Sequence, residues 1–149
     1  MLMQFSELIQ GYFLRRDNRF RATVLVDGRE TWAHVANSGR LADLFVPDRP
    51  LWLAPVADSN RKTAFDLKMV EMPATLVSVD ARLPTPLFAE AVKAGRLVGI
   101  NYPKIGREVN VGRSRIDFRL SGRDSICWVE TKSVTSVENG VARFPDAPT

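Results

Sequence analysis

The chain is poor in the residues on which several kinds of site depend. It has one cysteine, Cys127, in 149 residues, so no disulfide framework can form within it, which suits a reducing compartment. Its one histidine is His34, which leaves almost nothing for a histidine-based metal cluster or a Ser-His-Asp triad. In "AHVANSGR", at a strand-to-loop junction, His34 reads as a hydrogen-bonded structural residue. The longest uninterrupted apolar run, Leu51 to Ala57, falls far short of the ~20 residues that cross a bilayer. The opening "MLMQFSELIQ" has no basic segment followed by an apolar core, so no signal peptide is expected and the expected location is the cytoplasm. There is no internal repeat, no low-complexity linker and no helix-turn-helix pattern, so readout by a recognition helix is not expected.

What the chain does have is an ordinary globular composition, 45% hydrophobic and 26% charged, with a net charge of +4. The positive charge is concentrated. "GYFLRRDNRFR", residues 11–21, holds Arg15, Arg16, Arg19 and Arg21 against Asp17 alone, interleaved with Tyr12, Phe13 and Phe20. A second basic stretch, Lys104 to Arg119, includes Arg115 and sets five cations against Glu108 and Asp117. Cations beside aromatics fit a surface that tracks phosphates and stacks bases; they equally fit a solvated strand face.

Residues 10–80 read as short strands between turn signals. "RFRATVLV" (Arg19–Val26) alternates, Asp27-Gly28 marks a hairpin turn, and "TWAHVA" (Thr31–Ala36) returns. "NSGRLADLF" is a loop with one helical turn, and Pro50–Ala57, Thr63–Met72 and Ala74–Asp80 supply three further strands. Five strands with a short insertion predict a small antiparallel barrel of the oligonucleotide-binding (OB) type over residues 1–82. Arg61-Lys62 then falls in a loop that OB barrels often present to nucleic acid, and reads as either a contact or a solvated turn; Asn37, Gly39 and Arg40 form either a phosphate-contacting loop or a glycine-dependent turn. Trp32, Trp52 and Trp128 read as core or half-buried.

Over residues 83–149 the pattern changes. Thr85 suits an N-cap, Pro86 the first helical position and Gly95 the residue past the end, with Leu87, Phe88, Ala91 and Val92 as the apolar face. Strands are expected at Lys104–Val111, Ser114–Leu120 and Ile126–Val134. If the last two form a hairpin centred between Arg123 and Asp124, Asp117 faces Glu130, Arg115 faces Lys132 and Arg119 faces Trp128. Ile116, Phe118, Leu120, Cys127, Val129 and Thr131 then make the core face, while Asp117, Glu130 and Lys132 share the other. Two opposed carboxylates repel unless neutralised. A hard cation such as Mg²⁺ or Mn²⁺ would do so, with Lys132 assisting a bound water; so would an ion network with Arg115, Arg119 and Lys132.

Asp117 followed by Glu130-Thr131-Lys132 resembles the Asp…Glu-x-Lys signature of restriction-endonuclease-like nucleases. That likeness implies Asp117 and Glu130 as metal ligands, Lys132 as the water-activating residue, and Glu90 or Glu108 as a further ligand. Beyond the motif, "GYFLRRDNRF", "AHVANSGRL", "RKTAFDL", "VGRSRIDFRL", "CWVETKSVT" and "GVARFPDAPT" together resemble the sugar fermentation stimulation protein family of prokaryotes. The resemblance implies an α+β protein, an OB-like barrel followed by a restriction-endonuclease-like α/β domain. It also implies DNA binding and a role in regulating sugar, particularly maltose, fermentation genes, and leaves cleavage open. The family continues beyond "FPDAPT", so the nuclease-like domain is expected to be incomplete, with either a fragment or a homodimer as the consequence. A non-catalytic protein-interaction adaptor is the reading from another functional class.

Overall fold

The structure is a computed structural model that describes residues 3–144. It divides into two compact units, one of Gln4–Ala81 with the segment from Ser133 onward, the other of Met3 with Arg82–Lys132.

The first unit is built on the strands β1 (Ile9–Asn18), β2 (Arg21–Val26), β3 (Arg29–His34), β4 (Pro50–Pro55), β5 (Phe65–Met72) and β6 (Thr75–Ser78). The β2–β3 turn is made by Asp27 at φ 48° and Gly28 at φ 73°, the left-handed pair that a two-residue hairpin requires. The strands pair in the order β3-β2-β1-β4-β5-β6. Parallel pairing of Ala33 with Phe65 and His34 with Asp66 joins β3 to β5, closing β1–β5 into a five-stranded OB-like barrel and leaving β6 as a hairpin partner of β5.

Four of the expected strands are present with shorter bounds and that expected at Thr31–Ala36 lies at Arg29–His34, but the fifth barrel strand is β1, which the sequence presents as a basic stretch, rather than the Ala74–Asp80 segment. Its alternation is broken by register shifts between Phe13 and Arg15 and between Arg16 and Asn18, so only Gly11 and Phe13 point fully inward. The core gathers Phe13, Ala22, Val24, Ala33, Val35, Leu51, Leu53, Leu67 and Val70. Gly11 is required by close approach: a Cβ there would lie 2.7 Å from Leu53 Cδ1 and 3.0 Å from the Leu25 carbonyl oxygen.

The second unit contains α1 (Pro84–Lys93) and the sheet of β7 (Lys104–Val111), β8 (Ser114–Ser121) and β9 (Ile126–Val129). The helix starts one residue before Thr85, with Leu83 as N-cap and no side-chain cap. Prolines at positions 84 and 86 occupy its first turn, where amides have no helical partner to lose. Gly95, at φ 65°, follows the end as expected. Phe88 and Ala89 pack onto Phe118, Leu120, Cys127 and Val129, whereas Leu87, expected on the apolar face, is 44% exposed.

A final hairpin, β10 (Ser136–Glu138) with β11 (Val141–Arg143), turns on Asn139 and Gly140, both at positive φ. This hairpin is not among the elements expected from the sequence, although Asn-Gly is a strong local hairpin signal. The last residues of "FPDAPT", from 145, lie outside the described residues.

Candidate nucleic-acid interface and acidic hairpin

The barrel sorts the predicted arginines into different roles. Asp17 accepts a hydrogen bond from the hydroxyl of Thr23 at 2.9 Å and pairs with Arg15 at 3.5 Å and Arg21 at 3.4 Å. Arg15 also reaches Glu30 at 3.5 Å. Arg21 lies over the ring of Trp32 at 4.3 Å. Of the two readings given to it, core or half-buried, Trp32 is not core: it is 40% exposed, because its strand turns Ala33 inward instead. Phe20 is 49% exposed and its ring sits 6.4 Å from that of His34. These ring–cation and ring–ring pairs, joined by β2 and β3, present flat faces beside positive charge, which is the composition of a base-stacking platform.

Arg16 is different. Its guanidinium donates to five backbone carbonyls: Nε to Asn18, Nη1 to Gly39 and Arg40, Nη2 to Arg19 and Asn37, at 2.5–3.2 Å. An arginine has five N–H donors, so none is left over. It also covers the ring of Phe45 at 5.2 Å, and burial lowers the pKa of the guanidinium from its ordinary value.

Arg19 and Arg40 are exposed, and their side chains make no hydrogen bond or ion pair with the described residues. They line a shallow open cleft of about 400 Å³ with Arg16, Asn18, Ser38 and Gly39. In the β4–β5 loop, Arg61 is tied to Asp66 at 2.7 Å and to Thr63 at 3.0 Å. Asp66 in turn lies 3.6 Å from Lys68, which reaches the buried Asp80 at 2.7 Å. Lys62, beside Arg61, is exposed.

In the second unit, β8 and β9 pair Phe118 with Val129, Arg119 with Trp128 and Leu120 with Cys127, the register expected from the sequence. The Arg119 guanidinium lies 5.8 Å from the Trp128 ring, and Trp128 is 48% exposed. The ladder ends at Val129, before the pair that would set Asp117 against Glu130. Instead Asp117 Oδ2 accepts both the backbone N–H and the hydroxyl of Thr131, each at 2.7 Å. Thr131, expected on the core face, thus faces Asp117, and its hydroxyl lies 2.8 Å from that of Thr85 in α1. The reason is local: once the strand ends, the side chain of Asp117 takes the amide that a neighbouring carbonyl would otherwise accept.

The two Thr131 hydrogen bonds hold the Asp117 carboxyl below its ordinary pKa, with a smaller contribution from Lys132. Glu130 pairs with Lys132 at 2.6 Å. The other candidate acids are engaged: Glu90 accepts from the backbone N–H of Met3 at 2.6 Å, and Glu108, at φ 50°, pairs with Arg115. Among the described residues no three His, Cys, Asp or Glu side chains come together as a metal-binding group. Asp117 is held by Thr131 and Glu130 by Lys132; two carboxylates at one hairpin end would suit a hard cation that completes its shell with water and phosphate oxygens rather than an all-protein cage.

Among the described residues no helix is long and apolar enough to cross a membrane. Residues 14–79 match the SfsA N-terminal OB domain, and residues 82–149 match the sugar fermentation stimulation protein RE domain. The sugar fermentation stimulation protein homolog of Moorella thermoacetica is 43% identical over 97% of this chain and 63% of its own length. That of Chloroflexus aggregans is 46% identical over 95% of this chain and 55% of its own. The solved structure of Pyrococcus furiosus SfsA in complex with Ca²⁺ superposes with a TM-score of 0.87 at 33% identity, covering 99% of this chain and 64% of that one. The chain therefore spans less than two thirds of the length of these relatives. With successive models of one family matching both of its parts, the chain belongs to the sugar fermentation stimulation protein family.

Proposed function

We propose that this chain is a DNA-binding protein that holds nucleic acid on its barrel and takes part in regulating sugar, including maltose, fermentation genes. The observation that carries the binding reading is the exposed face on which Arg21 covers Trp32 and Phe20 sits beside His34, on a barrel that also exposes Arg19, Arg40 and Lys62. Flat rings supply sequence-tolerant stacking, and the cations supply phosphate attraction. The test is fluorescence anisotropy of single- and double-stranded oligonucleotides across a salt series. Affinity is expected to fall linearly in log–log form with salt, and Trp32→Ala to cost about 1–3 kcal/mol, the scale of one lost base stack. Binding that ignores salt would favour a protein-interaction adaptor.

A metal-dependent nuclease is the second reading, favoured by the grouping of Asp117, Glu130 and Lys132 at the end of one hairpin and by the similar Pyrococcus protein having been solved in complex with Ca²⁺. Asp117 and Glu130 would hold Mg²⁺ or Mn²⁺, which supplies a water of lowered pKa and neutralises charge on a phosphoryl group. Thr131 orients the Asp117 carboxylate through two hydrogen bonds. Lys132 balances the charge of Glu130 at 2.6 Å and would assist a proton transfer beside it. If the site is a metal site, Mn²⁺ raises the melting temperature by mass action and Asp117→Asn abolishes the rise. No shift with Mn²⁺, and no cleavage of either DNA form, would leave the hairpin a structural ion network.

A further inference from the structure

Arg16 and the cleft beside it separate two jobs that the cluster of arginines in the sequence merges. The loop between β3 and β4 carries few packed side chains around Ser38, Gly39 and Arg40, all exposed. One side chain nevertheless gathers its carbonyls: the Arg16 guanidinium donates to those of Asn37, Gly39 and Arg40 on one side and those of Asn18 and Arg19 on the other. The β1–β2 turn and the β3–β4 loop are thus clamped together by a group whose donors are all spent. Asn37 locks the loop from within, its Oδ1 accepting the Gly39 amide at 2.9 Å and its Nδ2 donating to the Val79 carbonyl at 3.1 Å. Beneath the clamp, Phe45 stacks on the core residue Phe13 at 5.1 Å, so Arg16 is anchored to the barrel interior. Arg19 and Arg40 emerge from the two clamped segments and line the same cleft.

We infer that this cleft is a backbone-phosphate subsite in which Arg19 and Arg40 are the contacts, with Ser38 as a hydroxyl donor, and Arg16 is a positioning residue that touches no phosphate. The inference rests on the proposed nucleic-acid function and assigns roles within it. Two guanidiniums on separate segments repel and would splay if both segments were loose; the clamp fixes their spacing before any ligand arrives, which reduces the ordering cost of binding. A phosphate-contacting arginine tolerates lysine, which is also a phosphate-binding cation. A residue that satisfies five carbonyls does not, because an ammonium has three donors and no planar fork.

The experiment measures oligonucleotide affinity and its salt slope for the full chain and for Arg19→Ala, Arg40→Ala, the pair together, Arg16→Lys, and Arg16→Lys added to the pair, with folding checked by circular dichroism and melting. Each of Arg19→Ala and Arg40→Ala is expected to lower the slope by about one. Arg16→Lys keeps the charge yet is expected to weaken binding about tenfold, and to have no further effect once Arg19 and Arg40 are gone, since coupled residues are not additive. Binding by Arg16→Lys equal to the parent, or an additive effect in the combined variant, overturns the positioning role.

Should Arg16→Lys fail to fold, Gly39→Ala tests the same point with every cation in place. Its Cβ would lie 3.1 Å from Asn37 Oδ1 and disturb the loop. Weakened binding supports the inference, and unchanged binding overturns it. Amide shifts of Ser38, Gly39 and Arg40 are then followed by NMR with inorganic phosphate alone and with oligonucleotide. Shifts at far lower oligonucleotide concentration support a backbone phosphate, while equal affinity for the free anion overturns it. A parent that binds oligonucleotide while ignoring the Arg19/Arg40 pair defeats this inference alone; a parent that binds none defeats the proposed function as well.

Discussion

Asp117 and Thr131 lie apart in the sequence, yet their contact decides how the end of the acidic hairpin is held. Both hydrogen bonds from Thr131 favour the charged carboxylate and keep its pKa below the ordinary value. A group whose folded pKa is depressed stabilises the fold above its unfolded pKa, about 3.9 for aspartate, and that contribution is lost as pH falls through the lower folded value. Acid unfolding of the second unit is therefore expected to steepen below about pH 4. Thr131→Val, which removes the hydroxyl donor and the bridge to Thr85, is expected to cost about 1–2 kcal/mol at neutral pH and to shrink that acid dependence. Chemical denaturation at pH 3, 4 and 7, followed by Trp128 fluorescence, reads both; an equal cost at every pH would mean that the hydroxyl matters only to packing. The sequence sets Asp117 directly opposite Glu130, but where the ladder stops is set by side-chain competition for one amide, which no periodicity reveals.

At the level of elements, the Asp27-Gly28 turn and the helix end at Gly95 were legible, and β1 and the Asn139-Gly140 hairpin were not. Asp27-Gly28 and Asn139-Gly140 adopt left-handed backbone for local reasons, and Gly95 ends the helix in the same way. Strand β1 hides because its two register shifts break the alternation that marks a strand, and because Arg16 is drawn to loop carbonyls that lie 21 to 24 residues away in sequence. What qualifies it for the barrel is Gly11, which lets β1 lie against Leu53 and the Leu25 carbonyl. Gly11→Ala is expected to destabilise the barrel by about 1–3 kcal/mol, the usual cost of overpacking. Gly28→Ala, whose Cβ meets nothing within 4 Å, suffers only its φ of 73° and should cost about 1 kcal/mol. Thermal melting of the pair checks the order, and a larger loss at Gly28 would contradict the close-packed placement of β1.

For the molecule as a whole, the two units differ in how much core each owns. The barrel buries a continuous cluster that includes Phe13, Val24, Leu51, Leu53, Leu67 and Val70. The cluster of the second unit has Ala89, Phe118 and Leu120 as its buried members. Buried apolar area is the main source of stability, so amides of β2 are expected to outlast those of β8 in native-state hydrogen exchange, by roughly tenfold or more in protection for each 1.4 kcal/mol of difference. Equal protection in the two strands would show that they unfold as one. By itself the sequence determined the barrel class, the Asp27-Gly28 hairpin turn, the β8–β9 register and the clustering of arginines, because each follows from local backbone chemistry or from a period of two along a strand. Only the tertiary structure decided which arginine is scaffold and which is free, that Trp32 faces outward, and that Thr131 turns to Asp117. Those outcomes depend on which carbonyls, rings and amides distant segments bring within about 3 Å of one another, the range over which a hydrogen bond can form.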